Sequence, residues 1–141
     1  MRHMTIAANE KGVSEIRGRE ANNQRILEYH QATSLKATTD EVPWCAAFVN
    51  WVLFKCKISG TNSATARSFL RWGKSVKPKK GDVVIFWRGS PKSYKGHVGF
   101  FVSRGLFKVK VLGGNQMNQV NIRKYWRFMV LDYRRARNGW A

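Results

Sequence analysis

Lys77-Pro78-Lys79-Lys80-Gly81-Asp82-Val83-Val84-Ile85-Phe86-Trp87 is the stretch at which the pattern of this chain changes. Toward the C-terminus, apolar residues come in short β-branched and aromatic runs: Val83 to Trp87, His97 to Ser103, Phe107 to Leu112, Val120 to Arg123 and Phe128 to Tyr133. Gly, Ser and Asn separate them, as expected of strands joined by turns. Toward the N-terminus the spacing is helical. Ala66, Phe69, Leu70 and Trp72 end at Gly73 and follow Gly60-Thr61-Asn62-Ser63, which reads as a breaker and helix cap. The apolar stretch Trp44 to Phe54 is entered through Asp40-Glu41-Val42-Pro43, so proline and carboxylates stand where a first helical turn favours them. Residues 5–32, with Ile16, Ile26, Leu27 and Tyr29, predict one or two short helices. Helices followed by closely spaced strands predict an α+β domain with N-terminal helices packed on an antiparallel β-sheet.

The chain has 141 residues, a length that calls for one domain. Its 26 Lys and Arg against 8 Asp and Glu give a net charge of +18. A 43% hydrophobic content with six Trp, eight Phe and four Tyr excludes a disordered polycation and requires a packed core. The expected organisation is a single catalytic domain over 1–141, with residues 1–4 cloning-derived or disordered and 134–141 a basic tail. No apolar run reaches transmembrane length, and the N-terminus lacks the apolar centre of a secretory signal. The charge would draw the protein to anionic polymers or an anionic envelope. Without zinc-finger spacing, a P-loop or an RNA-recognition signature, no specific nucleic-acid partner is expected.

Cys45 falls at the predicted start of the apolar helix, where free backbone N–H groups and the helix dipole favour a thiolate and lower its pKa. Cys56, at the far end of that segment, reads as a small buried hydrophobe. Eleven helical residues put the two thiols roughly 16 Å apart, too far for a disulfide. His97 opens a predicted strand between glycines, and Asn115 follows the next strand in Leu112-Gly113-Gly114-Asn115-Gln116. A thiol, an imidazole and a polar orienting group are the minimal set for nucleophilic attack on an amide. Whether the two strand ends meet is left open by spacing. His30 reads as solvated on a polar helix, and the scattered acidic residues offer no calcium loop or carboxylate dyad, so no metal or cofactor is expected.

The strings Val42-Pro43-Trp44-Cys45-Ala46-Ala47-Phe48, Gly81-Asp82-Val83-Val84, Gly96-His97-Val98-Gly99 and Gly113-Gly114-Asn115-Gln116 resemble, in order, the small CHAP/NlpC-type papain-like cysteine hydrolases of bacteria and their phages. The resemblance runs from about Glu10 to Tyr133. It implies a papain-like α+β fold and cleavage of a peptidoglycan amide bond through a thioester, as endopeptidase or amidase, by a monomer. Cys45 would be the nucleophile, His97 the base and Asn115 the third residue, with Gln116 the neighbour able to substitute. Trp44 reads as core or cleft wall, and in the latter place it would be a substrate contact together with Gln116. Many relatives carry an acidic residue where this chain has Gly113, and the calcium cluster of some is not matched by Asp40 and Glu41 alone. A phage endolysin or related lytic enzyme, made in the cytoplasm and acting on the wall, is the expected setting. The alternative is a non-catalytic basic module that binds cell-wall polymer or nucleic acid.

Overall fold

The computed structural model describes residues 1–16, 22–40 and 42–140. Helices α1 (Arg2–Asn9), α2 (Gln24–His30) and α3 (Cys45–Lys55) precede six strands: β1 (Lys74–Ser75), β2 (Val83–Trp87), β3 (Gly96–Arg104), β4 (Lys108–Gly113), β5 (Asn121–Trp126) and β6 (Val130–Arg135). They form one antiparallel sheet in the order β1-β6-β2-β3-β4-β5. This is the expected α+β arrangement. Ala66–Arg71 forms a 3-10 turn in place of the expected helix. Asn62 and Ser63 do not cap it by bonding its first amides. Instead Asn50, buried in α3, accepts from the amides of Thr61 and Asn62 and donates to Ser63 O, pinning that loop to the helix.

Every residue from Cys45 to Leu53 is buried, because α3 is apolar on all sides and lies between α1 and α2 on one side and the sheet on the other. Val83, Ile85, Val98, Phe100 and Leu112 pack against it from the sheet. The opposite sheet face buries Val84, Phe86, Phe101, Val109 and Val111. Adjacent strands stand ~4.8 Å apart, so β2 and β5, three positions apart, would be separated by ~14 Å in a flat sheet. Instead the Phe86 and Tyr125 rings lie 5.1 Å apart. The sheet is therefore strongly curled, and that curl shapes the cavity described below.

Several local expectations differ in the folded chain. Pro43 precedes the helix rather than entering its first turn, and Asp40 is buried with Oδ2 accepting from the amides of Ile16 and Asn23. Glu41 lies outside the described residues. Residues 2–4 belong to α1, where His3 is buried, hydrogen-bonded to Gly81 O at 2.8 Å and stacked 3.9 Å from Trp140. Residues 134–140 are likewise not a free tail, because Arg134 and Arg135 end β6 and Trp140 packs on the body. His30 is fully buried rather than solvated, since α2 turns it inward with Ile26 and Tyr29.

Asp82 closes the turn into β2, in which Gly81 holds φ +97°, a conformation suited to glycine. Its fully buried carboxylate accepts from the Lys79 amide at 2.7 Å, from Arg135 Nε and Nη2 at 2.7 Å each and from Trp140 Nε1 at 2.8 Å. Burial alone would raise its pKa, but these donors outweigh it and hold the group below its ordinary 3.8. Asp82→Ala should cost about 3 kcal/mol of stability in urea denaturation, because it strips partners from a largely enclosed network. The contribution is present above 3.8 and is lost as pH falls through the depressed native value.

Candidate active site

Three elements converge at one end of the sheet: the N-terminus of α3, the start of β3, and the loop that follows β4. The antiparallel register explains the last two. Phe100 pairs with Leu112, so the end of β4 runs beside the start of β3 and carries residues 115 and 116 toward His97. Gly114 permits close docking of that loop on α3, since a Cβ there would lie 2.7 Å from the Trp44 ring.

His97 is buried in the aromatic cluster made by the curl, with its ring 5.0 Å from that of Tyr125 and 6.2 Å from that of Phe86. Its Nε2 lies 2.9 Å from Gln116 Oε1. Gln116 Nε2 is committed to Val111 O, Asn121 O and Asn121 Oδ1, so the Gln116 oxygen faces the ring and accepts from Nε2–H. The neutral ring thus presents Nδ1 as its free acceptor. Asn115 lines the same cavity with φ +56°, but the side-chain hydrogen bond to the imidazole comes from Gln116. Gly113 makes room for this: a Cβ at that position would come 2.5 Å from Gln116 Oε1. The glycine that departs from the family pattern and the glutamine that reaches His97 are thereby sterically linked.

Cys45 is the first residue of α3, and its thiol is approached by the backbone N–H groups of Val98 and Ala46. Val98 directly follows His97, so thiol and imidazole share this end of the α3–β3 contact. The N-cap residue Trp44 makes no side-chain cap to the first amides of α3. The thiol pKa is nevertheless raised, contrary to the expectation from the helix dipole. Burial is the largest influence, and the Val98 and Ala46 amides and Arg88 only partly offset it. Burial likewise lowers His97 to about 4, with Gln116 opposing and Arg88 reinforcing the shift. Both shifts disfavour a resting thiolate–imidazolium pair.

This predicts acid sensitivity. Unfolded histidine takes up a proton near 6.5 whereas native His97 does so only near 4, so the unfolded state binds more protons between these values and stability falls as pH drops through that window. The loss from His97 should reach roughly 3 kcal/mol, and His3 and His30, both lowered chiefly by burial, act in the same direction. Urea midpoints measured on either side of the window should show the drop, and His97→Asn should reduce it.

Trp44 is not placed to touch a substrate. It is fully buried, donates from Nε1 to Glu15 Oε2 at 3.1 Å and packs on Tyr29. Cys56 is half-buried at the C-cap of α3, and neither cysteine is in a disulfide. Among the described residues no group of three His, Cys, Asp or Glu side chains is placed to hold a metal ion, and no helix is long and apolar enough to cross a membrane. The cavity also brings in Arg88, Arg123 and Tyr125, which sequence reading missed. The alternation of Arg123 and Tyr125 on β5 was the available signal, because period-2 spacing puts both on one sheet face.

The CHAP domain profile matches residues 37–115, more than half of the chain. The chain belongs to the CHAP domain family. The match is narrower than the resemblance drawn from Glu10 to Tyr133, and within it fall Cys45, His97 and Asn115, while Gln116 is the next residue. A Staphylococcus aureus protein described as similar to a lipoprotein of the NLP/P60 family superposes with a TM-score of 0.57 at 16% identity. The superposition covers 94% of this chain and 40% of that one, so the CHAP chain spans less than half of the neighbour's length. At this identity the likeness is one of fold, and it agrees with the papain-like α+β class. A search of curated proteins finds no match. Membership of the CHAP family indicates a function of the peptidoglycan-hydrolase type, in a family whose members are typically cysteine peptidases or amidases.

Proposed function

We propose that this CHAP domain hydrolyses an amide bond of peptidoglycan, as endopeptidase or amidase, with Cys45 as nucleophile, His97 as general base and Gln116 as the residue that positions the ring. The observation that carries this reading is the 2.9 Å hydrogen bond from His97 Nε2 to Gln116, which leaves Nδ1 as the free acceptor of a ring whose next residue, Val98, directs its amide at the Cys45 thiol. It transfers the third role from Asn115 to Gln116 and leaves Asn115 a wall of the cavity.

His97 Nδ1 takes the Cys45 proton as sulfur attacks the carbonyl carbon, and the backbone N–H of Cys45 stabilises the developing oxyanion. The carbon–nitrogen bond then breaks, the imidazolium gives its proton to the departing amine, and a thioester remains. Water adds to the thioester with its proton passing to His97, sulfur leaves, and the thiol is restored. Burial disfavours the charged forms of both groups, which supports proton transfer in step with attack.

The chain acts as one catalytic domain, a reading supported by the continuous core shared by α1, α2, α3 and the sheet. The +18 charge supports work at an anionic bacterial envelope by a lytic enzyme of the endolysin kind, synthesised in the cytoplasm and acting on the wall. Mass spectrometry of purified peptidoglycan incubated with the protein tests the reading. New fragments carrying a freed amine and a freed carboxylate are expected. Intact sacculi with the protein bound to them would overturn it in favour of a wall-binding module.

A further inference from the structure

We propose that Arg88 and Arg123 form a carboxylate-reading subsite in the cavity lined by His97, so that the preferred substrate is a wall peptide with a free carboxylate one or two residues from the scissile amide. The inference rests on the hydrolase reading for the identity of the peptide, and on the cavity itself for the sign of the group it takes.

The cavity has a volume of about 220 Å³ and is lined by Arg88, His97, Asn115, Gln116, Arg123 and Tyr125 together with apolar side chains. No aspartate or glutamate lines it. On β5, Arg123 pairs with Val111 and Tyr125 with Val109, and both valines are buried in the cluster on the curled face. Arg123 therefore projects on the cavity side of the sheet. Arg88 follows β2, and its charge reaches Cys45, His97 and Tyr125, while that of Arg123 reaches Tyr125.

Among the other described arginines, Arg2, Arg71 and Arg137 also lack a side-chain partner but do not line this cavity, whereas five are occupied. Arg25 pairs with Glu10 and Glu28, Arg134 with Asp132, and Arg135 with Asp82. Arg67 and Arg127 donate to backbone carbonyls. Among the described residues, neither the Arg88 nor the Arg123 side chain has an ion-pair or hydrogen-bond partner, and the described carboxylates are engaged elsewhere. Two guanidiniums without a carboxylate among the lining residues make the cavity electropositive. Both side chains are exposed, so they are free to turn to a ligand, and guanidinium presents a planar fork that matches carboxylate geometry.

Two reagents of nearly equal size separate charge from chemistry. At about pH 8.5, where His97 is neutral, iodoacetate and iodoacetamide compete for Cys45, and peptide mapping reads Cys56 in the same sample as the reference thiol. The iodoacetate-to-iodoacetamide ratio at Cys45 should exceed that at Cys56 by about tenfold. Arg88→Gln/Arg123→Gln should bring the two ratios together, whereas Lys11→Gln/Lys80→Gln, which removes equal charge away from both the cavity and the residues next to Cys56, should not. Equal ratios in the wild type, or an equal effect of both double variants, would overturn the subsite.

The second arm uses soluble stem peptides that differ only as carboxylate and carboxamide beside the scissile bond. The carboxylate form should have a kcat/KM about tenfold higher, mainly through KM, and the double arginine variant should erase the difference. Cleavage of both peptides at one rate would remove the inference and leave the hydrolase reading standing. Cleavage of neither, with iodoacetate selectivity intact, would remove the hydrolase reading and leave an anion site beside Cys45.

Discussion

Cys45→Ala is expected to reduce peptidoglycan turnover by about four orders of magnitude or more while the protein stays folded. Removing the sulfur removes the atom on which the acyl group is carried, and no other thiol is near: Cys56 lies at the opposite end of α3. The structural cost is small. Cys45 is buried, a position that alanine fills with an apolar side chain and good helix propensity, leaving only a sulfur-sized void. Far-UV and near-UV circular dichroism should match the wild type, and Cys56→Ala should retain full turnover. Undiminished hydrolysis by Cys45→Ala would end the assignment of the nucleophile.

Gln116→Ala carries the second large effect, a fall in kcat of about two orders of magnitude or more, because the ring would lose its orienting partner and fixed tautomer. The variant also strips a donor from Val111 O and from Asn121, so lost stability must be separated from lost positioning. The pH profile does this. The Gln116 hydrogen bond raises the pKa of His97 against burial, so its removal should move the acid limb of kcat/KM to lower pH, from a wild-type limb near 4. A merely structural role would lower the amount of folded enzyme and leave the limb in place. Asn115→Ala should alter KM more than kcat, since Asn115 lines the cavity without holding the ring. The reverse ranking, with Asn115→Ala the more damaging to kcat, would return the third role to Asn115.

The raised thiol changes how reactivity is read. A helix N-terminus suggests a low thiol pKa, and ready alkylation would then mark an enzyme. With Cys45 enclosed and His97 neutral, slow alkylation at neutral pH is expected of an active hydrolase as well, and the ratio of charged to neutral reagent carries more information than the absolute rate.

Much of the architecture was legible because its causes are local. The switch at residues 77–87 from helical spacing to short apolar runs marks the change from helices to strands, and the five long strands fall where β-branched and aromatic runs stand between turn residues. Cys45 at the start of α3 follows from the proline before it and the apolar run after it. The short strand β1 was not legible, since Lys74 and Ser75 carry no apolar pattern and pair only because β6 presents its free edge there. Nor was the 3-10 turn at Ala66–Arg71 distinguishable from an α-helix, because over six residues the two spacings place the same apolar side chains inward.

From the order and periodicity of its residues alone, this chain was bound to fold as helices on an antiparallel sheet with a thiol at a helix start and a histidine at a strand start. These depend on neighbours a few positions away, where backbone sterics and hydrophobic spacing decide. Only the tertiary structure decided that Gln116 rather than Asn115 bonds the ring, that burial overrides the helix dipole at Cys45, that Trp44 is core, and that Arg88 and Arg123 share the cavity. Each of these turns on strand register, sheet curl or the loss of surrounding water. Those quantities are set by residues far apart in the chain, so no local pattern encodes them.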